Sequence, residues 1–565
     1  MKGTKWVINL LLLAGILVLI NVVGSFFFGS MDLTEDRRFT LTESTEAMLD
    51  TLSDVVYVQV LLEGDFDAGF KRLQRATREM LDDMSSEAGG LIEYEFLDPG
   101  AGDPEESNRR RAELAKDGIN PIRMKTVDVN AQTEEYIYPY AIFNYRGRQQ
   151  SVNLIQSDGG GIDENVLNSS INQLEYEFAT AIQRIASGNK PIIAFLNGHG
   201  ELSPLQRKEL TKELRGFYTV GTLKLDSLPA IPQRISTIIV AKPRTTFTEK
   251  DKFKLDQYLM NGGKLMWLVD RLDVHTDSLY RNPKFTPIEY SLDLDDLFFR
   301  SYGIRLNAGL VEDLKNSKIQ LVVGQQDGRP QFELFPWYYH LVVSPQSEHP
   351  IVRTLDNINL TYANTIDTTI RTKTDVRKTV LLASSNRSRE RFYPMQMSFD
   401  ILRYPPEVDK FNKESLPVSV LLEGQFPSLY QNRVSQEMRD ALSSIGQSYR
   451  AVSAPGAAVL VVADGDIAKN PVNPDTEATL PLGYNRYENY QYANKDFLLN
   501  ALEYLQEEGG FLDARGKEIK LRLLDTGKAR TEKRKWQLLN VGLPLALLGI
   551  FGFLFTYWRR RRWSA

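Results

Sequence analysis

An apolar run ends in Asn197-Gly198-His199-Gly200-Glu201. A histidine beside a glutamate at the end of a strand can serve as a general base with its orienting acid, or as a metal ligand. The same residues can do no chemistry at all. Gly198 and Gly200 permit tight backbone angles, and His199 and Glu201 then bond the loop or cap the next helix. A second place is Asp464-Gly465-Asp466, again after an apolar run. Paired carboxylates there can hold a divalent cation, or close an Asx-type turn after a buried strand. Asn197 to Glu201, Asp464 and Asp466 are the candidate ligand or partner loops.

The rest of the chain narrows the chemistry. Its 565 residues contain no cysteine and only four histidines, His199, His275, His340 and His349. Thiolate nucleophiles, disulfides and cysteine-based zinc, haem or iron–sulfur sites are excluded, and no histidine pair has helical metal-ligand spacing. Neither a Gly-x-Ser-x-Gly elbow nor a Gly-x-x-x-x-Gly-Lys-Ser/Thr phosphate loop occurs, so no serine hydrolase of that kind and no P-loop ATPase is expected. A net charge of −5 makes no electrostatic case for nucleic acid. The expectation is a protein without catalytic residues, metal or cofactor. The competing reading is an envelope hydrolase using His199 and Glu201, with Asp464; a third is a pure scaffold.

Both ends read as membrane segments. Residues 6–28 are uncharged and end in Phe26-Phe27-Phe28, where a cleaved signal would show small residues. Residues 536–558 are apolar between Trp536 and Trp558, and Arg559 to Arg562 follow. At about 1.5 Å per residue each crosses a hydrocarbon core of about 30 Å. The arginine tail, together with Lys2 and Lys5, places both termini in the cytoplasm by the positive-inside rule. The expected layout is an anchor over 1–30, α/β domains over 31–189 and 190–510, a juxtamembrane linker over 511–535, a second span and a basic tail over 559–565. Everything between the spans then lies outside the bacterial inner membrane as one large periplasmic body.

Within that body the first domain reads βαβαββα. A strand at 55–64 precedes a helix closed by Gly89-Gly90, and a hairpin turns at Arg146-Gly147. That order fits a thioredoxin-like layer, without the Cys-x-x-Cys of its redox members. Gly159-Gly160-Gly161 reads as a surface connector. From Pro191, four strand candidates and three later ones, at 379–385, 417–426 and 457–466, alternate with helix patterns. Continuous apolar strands imply a parallel sheet covered on both faces, hence a doubly wound, flavodoxin- or amidotransferase-like domain with an insertion at about 270–377. The loop 480–497, rich in Tyr and Asn, could stack on a sugar or form a partner surface.

"DLTEDRRFTL", "FLNGHGE", "FTEKDKFKLDQYLMNGGKLMWLVD", "LLEGQFPSLYQNR", "VVADGDIAKNPV", "PLGYNRY" and "NKDFLLNALEYL" resemble the GldG family, auxiliary membrane subunits of a gliding-motility ABC transporter in Bacteroidetes-type bacteria. The resemblance covers nearly the whole chain. It implies a non-ATPase, substrate-binding or auxiliary role beside a GldF-like permease and a GldA-like cytoplasmic ATPase, with the outer body meeting the envelope motility or secretion machinery. It assigns no role to Gly198-His199-Gly200-Glu201.

Overall fold

Val56-Tyr57-Val58-Gln59-Val60 alternates large apolar with polar positions, and it forms strand β1 (Val56–Val60) with its three valines fully buried. The structure is a computed structural model. It describes residues 15–16, 41–116, 119–128, 131–155, 164–187, 190–282, 284–353, 355–431, 433–472, 478–506 and 532–563. They divide into two units, 1–517 and 518–565.

In the larger unit, β1 pairs in parallel with β2 (Ile92–Phe96) and antiparallel with β5 (Tyr140–Tyr145), which pairs with β6 (Arg148–Asn153). The sheet order is β2-β1-β5-β6. Helix Ala68–Glu87 and helix Glu164–Ser187 bury Phe70, Leu73, Leu81, Phe178 and Ile182 in one core with the β1 valines. The hairpin turn has positive φ at both Arg146 and Gly147, as a tight two-residue connection requires. One feature departs from the sequence expectation. The third strand of the expected order, β3 (Ile122–Asp128), pairs with an additional strand, β4 (Ala131–Ile137), as a separate two-stranded sheet before β5. Ile137, at the end of β4, is buried in the same core as the β1 valines.

The main sheet has seven strands. In chain order they are β7 (Ile192–Leu196), β8 (Thr219–Leu223), β9 (Ile235–Ala241), β10 (Lys264–Leu268), β11 (Val376–Ala383), β12 (Pro417–Gly424) and β13 (Ala458–Val462). The spatial order is β11-β12-β13-β10-β9-β7-β8. From β13 to β8 every pair is parallel, whereas β12 runs antiparallel to both neighbours. The expected parallel sheet thus carries one reversed strand. An apolar run records burial, not direction, so the reversal left no trace in the composition of β12.

Successive residues of the central strands feed opposite cores. Leu196, Ile238, Val240, Leu265, Trp267, Val459 and Val461 enter one; Phe195, Ile239, Met266, Leu268, Leu460 and Val462 enter the other. Helix Glu249–Met260 covers the first face with Phe253, Leu255 and Leu259, and helix Asn494–Gln506 covers the second with Phe497, Leu498 and Leu502. Each such side chain contributes about 1.5–3 kcal/mol by leaving water, so the strand ends are held rigidly in register.

Between β10 and β11 the chain leaves the sheet, and it does so again between β11 and β12. The two excursions combine: strand Gly309–Asp313 of the first pairs with strand Ser388–Phe392 of the second. A long hairpin, Asn316–Gln326 with Arg329–Val343, pairs at its base with strand Ile358–Thr361. Trp337 and Tyr339 are buried there, whereas Leu334, farther out, is exposed.

The smaller unit contains helix Lys533–Trp563, with Pro544 inside it. Its stretch Lys535–Arg559 is long and apolar enough to cross a membrane. The predicted first span, 6–28, lies outside the described residues except for Gly15 and Ile16, which are helical. The Gly159-Gly160-Gly161 connector and most of the predicted linker also lie outside them.

Candidate functional site

Strand β7 lies between β8 and β9, so the connections from its side of the sheet diverge there. Open α/β sheets place ligands at such a divergence, beyond the carboxyl ends of the strands. At that edge, β7 is followed by Asn197, β9 by Lys242, β10 by Val269-Asp270, and β13 by Ala463-Asp464.

The Asn197–Glu201 segment is a locked turn. Asn197 donates its amide to the Leu223 carbonyl at 2.9 Å. Gly198 and Gly200 hold φ of 138° and 77°. Glu201 Oε2 accepts the amides of Gly198 at 2.9 Å and His199 at 2.7 Å. The His199 carbonyl accepts the amides of Arg244 at 2.7 Å and Thr245 at 3.0 Å. Its buried ring stacks on Phe247, with centroids 3.9 Å apart and planes 2° from parallel. Nδ1 lies 3.5 Å from Glu201 Oε1, and Nε2 lies 3.5 Å from Asp251 Oδ2. Asp251 is itself the capping-box acid of helix Glu249–Met260, its Oδ2 accepting the Thr248 amide at 3.0 Å. Burial pulls the His199 pKa down, but the Glu201 hydrogen bond and the charges of Glu201 and Asp251 outweigh it and raise it.

This turn makes a glycine-specific prediction. A Cβ on Gly200 would sit 3.2 Å from Arg244 Cβ at a left-handed φ. Gly200→Ala is expected to destabilise by about 1–2 kcal/mol. Gly216→Ala, in helix Lys208–Phe217 with open space around it, should instead stabilise by up to about 1 kcal/mol. Denaturant midpoints of the two variants should move in opposite directions.

A second cluster joins the ends of β9, β10 and β13. The Lys242 ammonium is buried between Asp270 Oδ2, at 2.9 Å, and Asp466. Lys469 meets the other Asp466 oxygen at 3.2 Å. Gly465 donates its amide to Asp270 Oδ1 at 2.6 Å. A Cβ on Gly465 would lie 2.8 Å from Lys242 Cβ, so the two segments approach this closely only with glycine there. Lys242 adopts φ of 57°, a left-handed conformation that a lysine rarely takes, held by these partners. Asp464 closes the Asx turn, Oδ1 accepting the Asp466 amide at 2.7 Å, while Oδ2 accepts the Thr361 amide at 2.6 Å. Burial works against the Lys242 charge, but the two carboxylates outweigh it and its pKa rises. Burial likewise pushes Asp466 up, but Lys242 and Lys469 hold it well below the usual carboxylate range. Burial and the charges of Asp270 and Asp466 push Asp464 up.

Above this cluster lies a cavity of about 460 Å³, bounded by the sheet edge, the inserted segments and the Tyr/Asn-rich loop. Asp464, Asp466, Lys469, His275, His340, Tyr362, Tyr484 and Tyr487 all line it. Asn197, Gly198, His199, Gly200 and Glu201 do not. The two predicted loops stand at one sheet edge, and only the aspartates reach the cavity. Burial pushes His340 down to about 4 and also lowers His275, aided by Lys242, so both imidazoles are neutral near pH 7. Among the described residues no group of three His, Asp or Glu side chains stands where it could hold a metal ion.

Sequence reasoning passed over Lys242, Asp270, His275, His340 and Tyr362. The signal for the first two was present: each is a charged residue directly after, or one residue beyond, an apolar strand. The other three come from the inserted segments, whose course over the sheet edge no local pattern encodes.

Residues 35–144 match a domain of unknown function, DUF7088. An uncharacterized protein of Borreliella burgdorferi is 21% identical over 452 residues, covering 77% of this chain and 81% of that protein. A solved structure described as the mmIFT52 N-terminal domain is 15% identical and covers 56% of this chain and 96% of its own, with a TM-score of 0.30. The family described as an ABC-type uncharacterized transport system matches residues 190–501, the region that holds the main sheet, both loops and the cavity, and the chain belongs to that family.

Proposed function

We propose that this chain is a non-enzymatic auxiliary subunit of an ABC transporter complex, with a large body that binds substrate or envelope machinery. Family membership gives it a transport-associated accessory role and association with a membrane. The observation that carries the proposal is that this family region is followed in the same chain by a helix able to cross a bilayer, Lys535–Arg559. The finer reading is a GldG-like subunit beside a GldF-like permease and a GldA-like ATPase in the bacterial inner membrane. It has two spans, cytoplasmic termini, a periplasmic body and a role in gliding motility.

Two fold readings accompany it. The order β2-β1-β5-β6 with β5 reversed supports a thioredoxin-like first domain. The parallel strands covered on both faces support a doubly wound, flavodoxin-like second domain. The hydrolase reading has less support, because the His199 ring is stacked on Phe247 and the cavity is lined without it.

Affinity purification of the full chain from its native membrane should recover a permease and an ATPase together. Recovery of the chain alone, under detergents that keep other ABC complexes intact, would count against the proposal. His199→Ala and Glu201→Ala should leave any hydrolytic activity of the membrane fraction unchanged.

A further inference from the structure

The inner wall of the cavity is built from groups that are already satisfied or carry no charge. Asp464 is committed to two backbone amides, and Asp466 to Lys242 and Lys469. The imidazoles of His275 and His340 are neutral near pH 7. No unmatched buried charge is left on that wall to pair with a charged ligand, and burying an unpaired ligand charge would be costly. The mouth carries side chains of mixed sign, Lys318, Arg486 and Asp277, so it exerts no strong selection for either sign of charge.

The shape fits the same conclusion. Tyr484 and Tyr487 are only partly buried and present ring surface at the cavity, with the Arg486 guanidinium 4.8 Å from the Tyr487 ring centre. A sugar ring offers an apolar C–H face to an aromatic ring and hydroxyls around its edge. Tyrosine beside neutral hydrogen-bonding side chains complements both. A cavity of about 460 Å³ lies in the size range of small-ligand sites.

We infer that this cavity binds an uncharged, hydroxyl-rich ligand of carbohydrate type, with Tyr484 and Tyr487 as stacking surfaces and His275, His340 and Thr276 as hydrogen-bonding partners. The inference deepens, and rests on, the reading of the body as a substrate- or envelope-binding subunit.

The test uses the full chain purified in a sugar-free detergent and probed on an array of neutral and acidic oligosaccharides, with inorganic phosphate as a competitor. Neutral oligosaccharides should be retained. The strongest should bind Tyr487→Ala about three- to tenfold more weakly, and Tyr487→Phe nearly as well as the parent. Both variants alter a partly exposed ring, and matching thermal unfolding would establish that they fold. No retention of neutral glycans, preference for acidic ones, displacement by phosphate, or unchanged affinity in Tyr487→Ala would each overturn the inference. Co-purification with a permease and an ATPase is scored on the same preparation. Failed glycan binding with retained partners removes only the ligand assignment; lost partners with retained glycan binding removes only the accessory role.

Discussion

Lys242→Ala should cost the larger unit about 3–5 kcal/mol of stability, because it strands two buried carboxylates without their counter-charge. Asp270 and Asp466 come from the segments that follow β10 and β13, so the lysine, directly after β9, ties together the ends of three strands. Trp267 and Trp337 are buried in this unit, and their fluorescence reports its unfolding in denaturant. The triple change Lys242→Met, Asp270→Asn and Asp466→Asn should recover part of the loss, since removing a whole buried ion cluster is often close to neutral. A single variant as stable as the parent would mean that the cluster does not hold the sheet edge together. The cavity provides a second readout. Its floor includes Asp466, so any ligand affinity should fall in the single variant.

The second large effect belongs to His199, and its sign depends on pH. Burial opposes the imidazolium, but Glu201 and Asp251 raise the folded pKa above the ordinary 6.5. A raised value means that the stabilisation is fully present below the unfolded pKa and disappears as pH climbs through the folded one. Glu201 behaves in the opposite sense. Burial pushes it up, but His199 and the turn amides bring it below its ordinary 4.5. Its contribution is present above that unfolded value and lost as pH falls through the folded one. The clamp is therefore strongest at about pH 5–6, between the two ordinary values. His199→Ala should cost about 3 kcal/mol there, from the broken ion pairs and the lost ring packing. Once the pH exceeds the folded His199 value, only the packing loss of about 1–2 kcal/mol should remain. Denaturant midpoints measured across this range would show it. Parallel stability–pH curves for parent and variant would sink the clamp.

Local structure was largely legible from local pattern. The apolar runs that became β7, β9, β10 and β13 stand where composition placed them. Helix Glu249–Met260 forms in the segment between β9 and β10, where a helix pattern stood between strand candidates, and a Thr248–Asp251 capping box starts it. Gly198 and Gly200 marked a turn with special backbone angles, and both have positive φ. The membrane-length helix near the C-terminus followed from an uncharged stretch and flanking tryptophans. The pairing of β3 with β4 as a sheet of their own was not legible, because strand pairing is set by long-range packing.

The candidate site divides along the same line. Its aspartates and its histidine stood out because each follows a strand, and strand ends are where open sheets gather function. Their partners did not stand out. Lys242 and Asp466 are 224 residues apart in the chain, and His199 meets Asp251 only because β7 and the helix after β9 share one edge. The sequence by itself determined the elements, the glycine turn, the lack of thiol chemistry and a membrane-length helix, since these depend on residue type and short-range period. Only the tertiary structure decided that Asp464 and Asp466 border a cavity while His199 is clamped outside it. Strand order, strand direction and the path of an insertion are set by long-range packing, which no local period records.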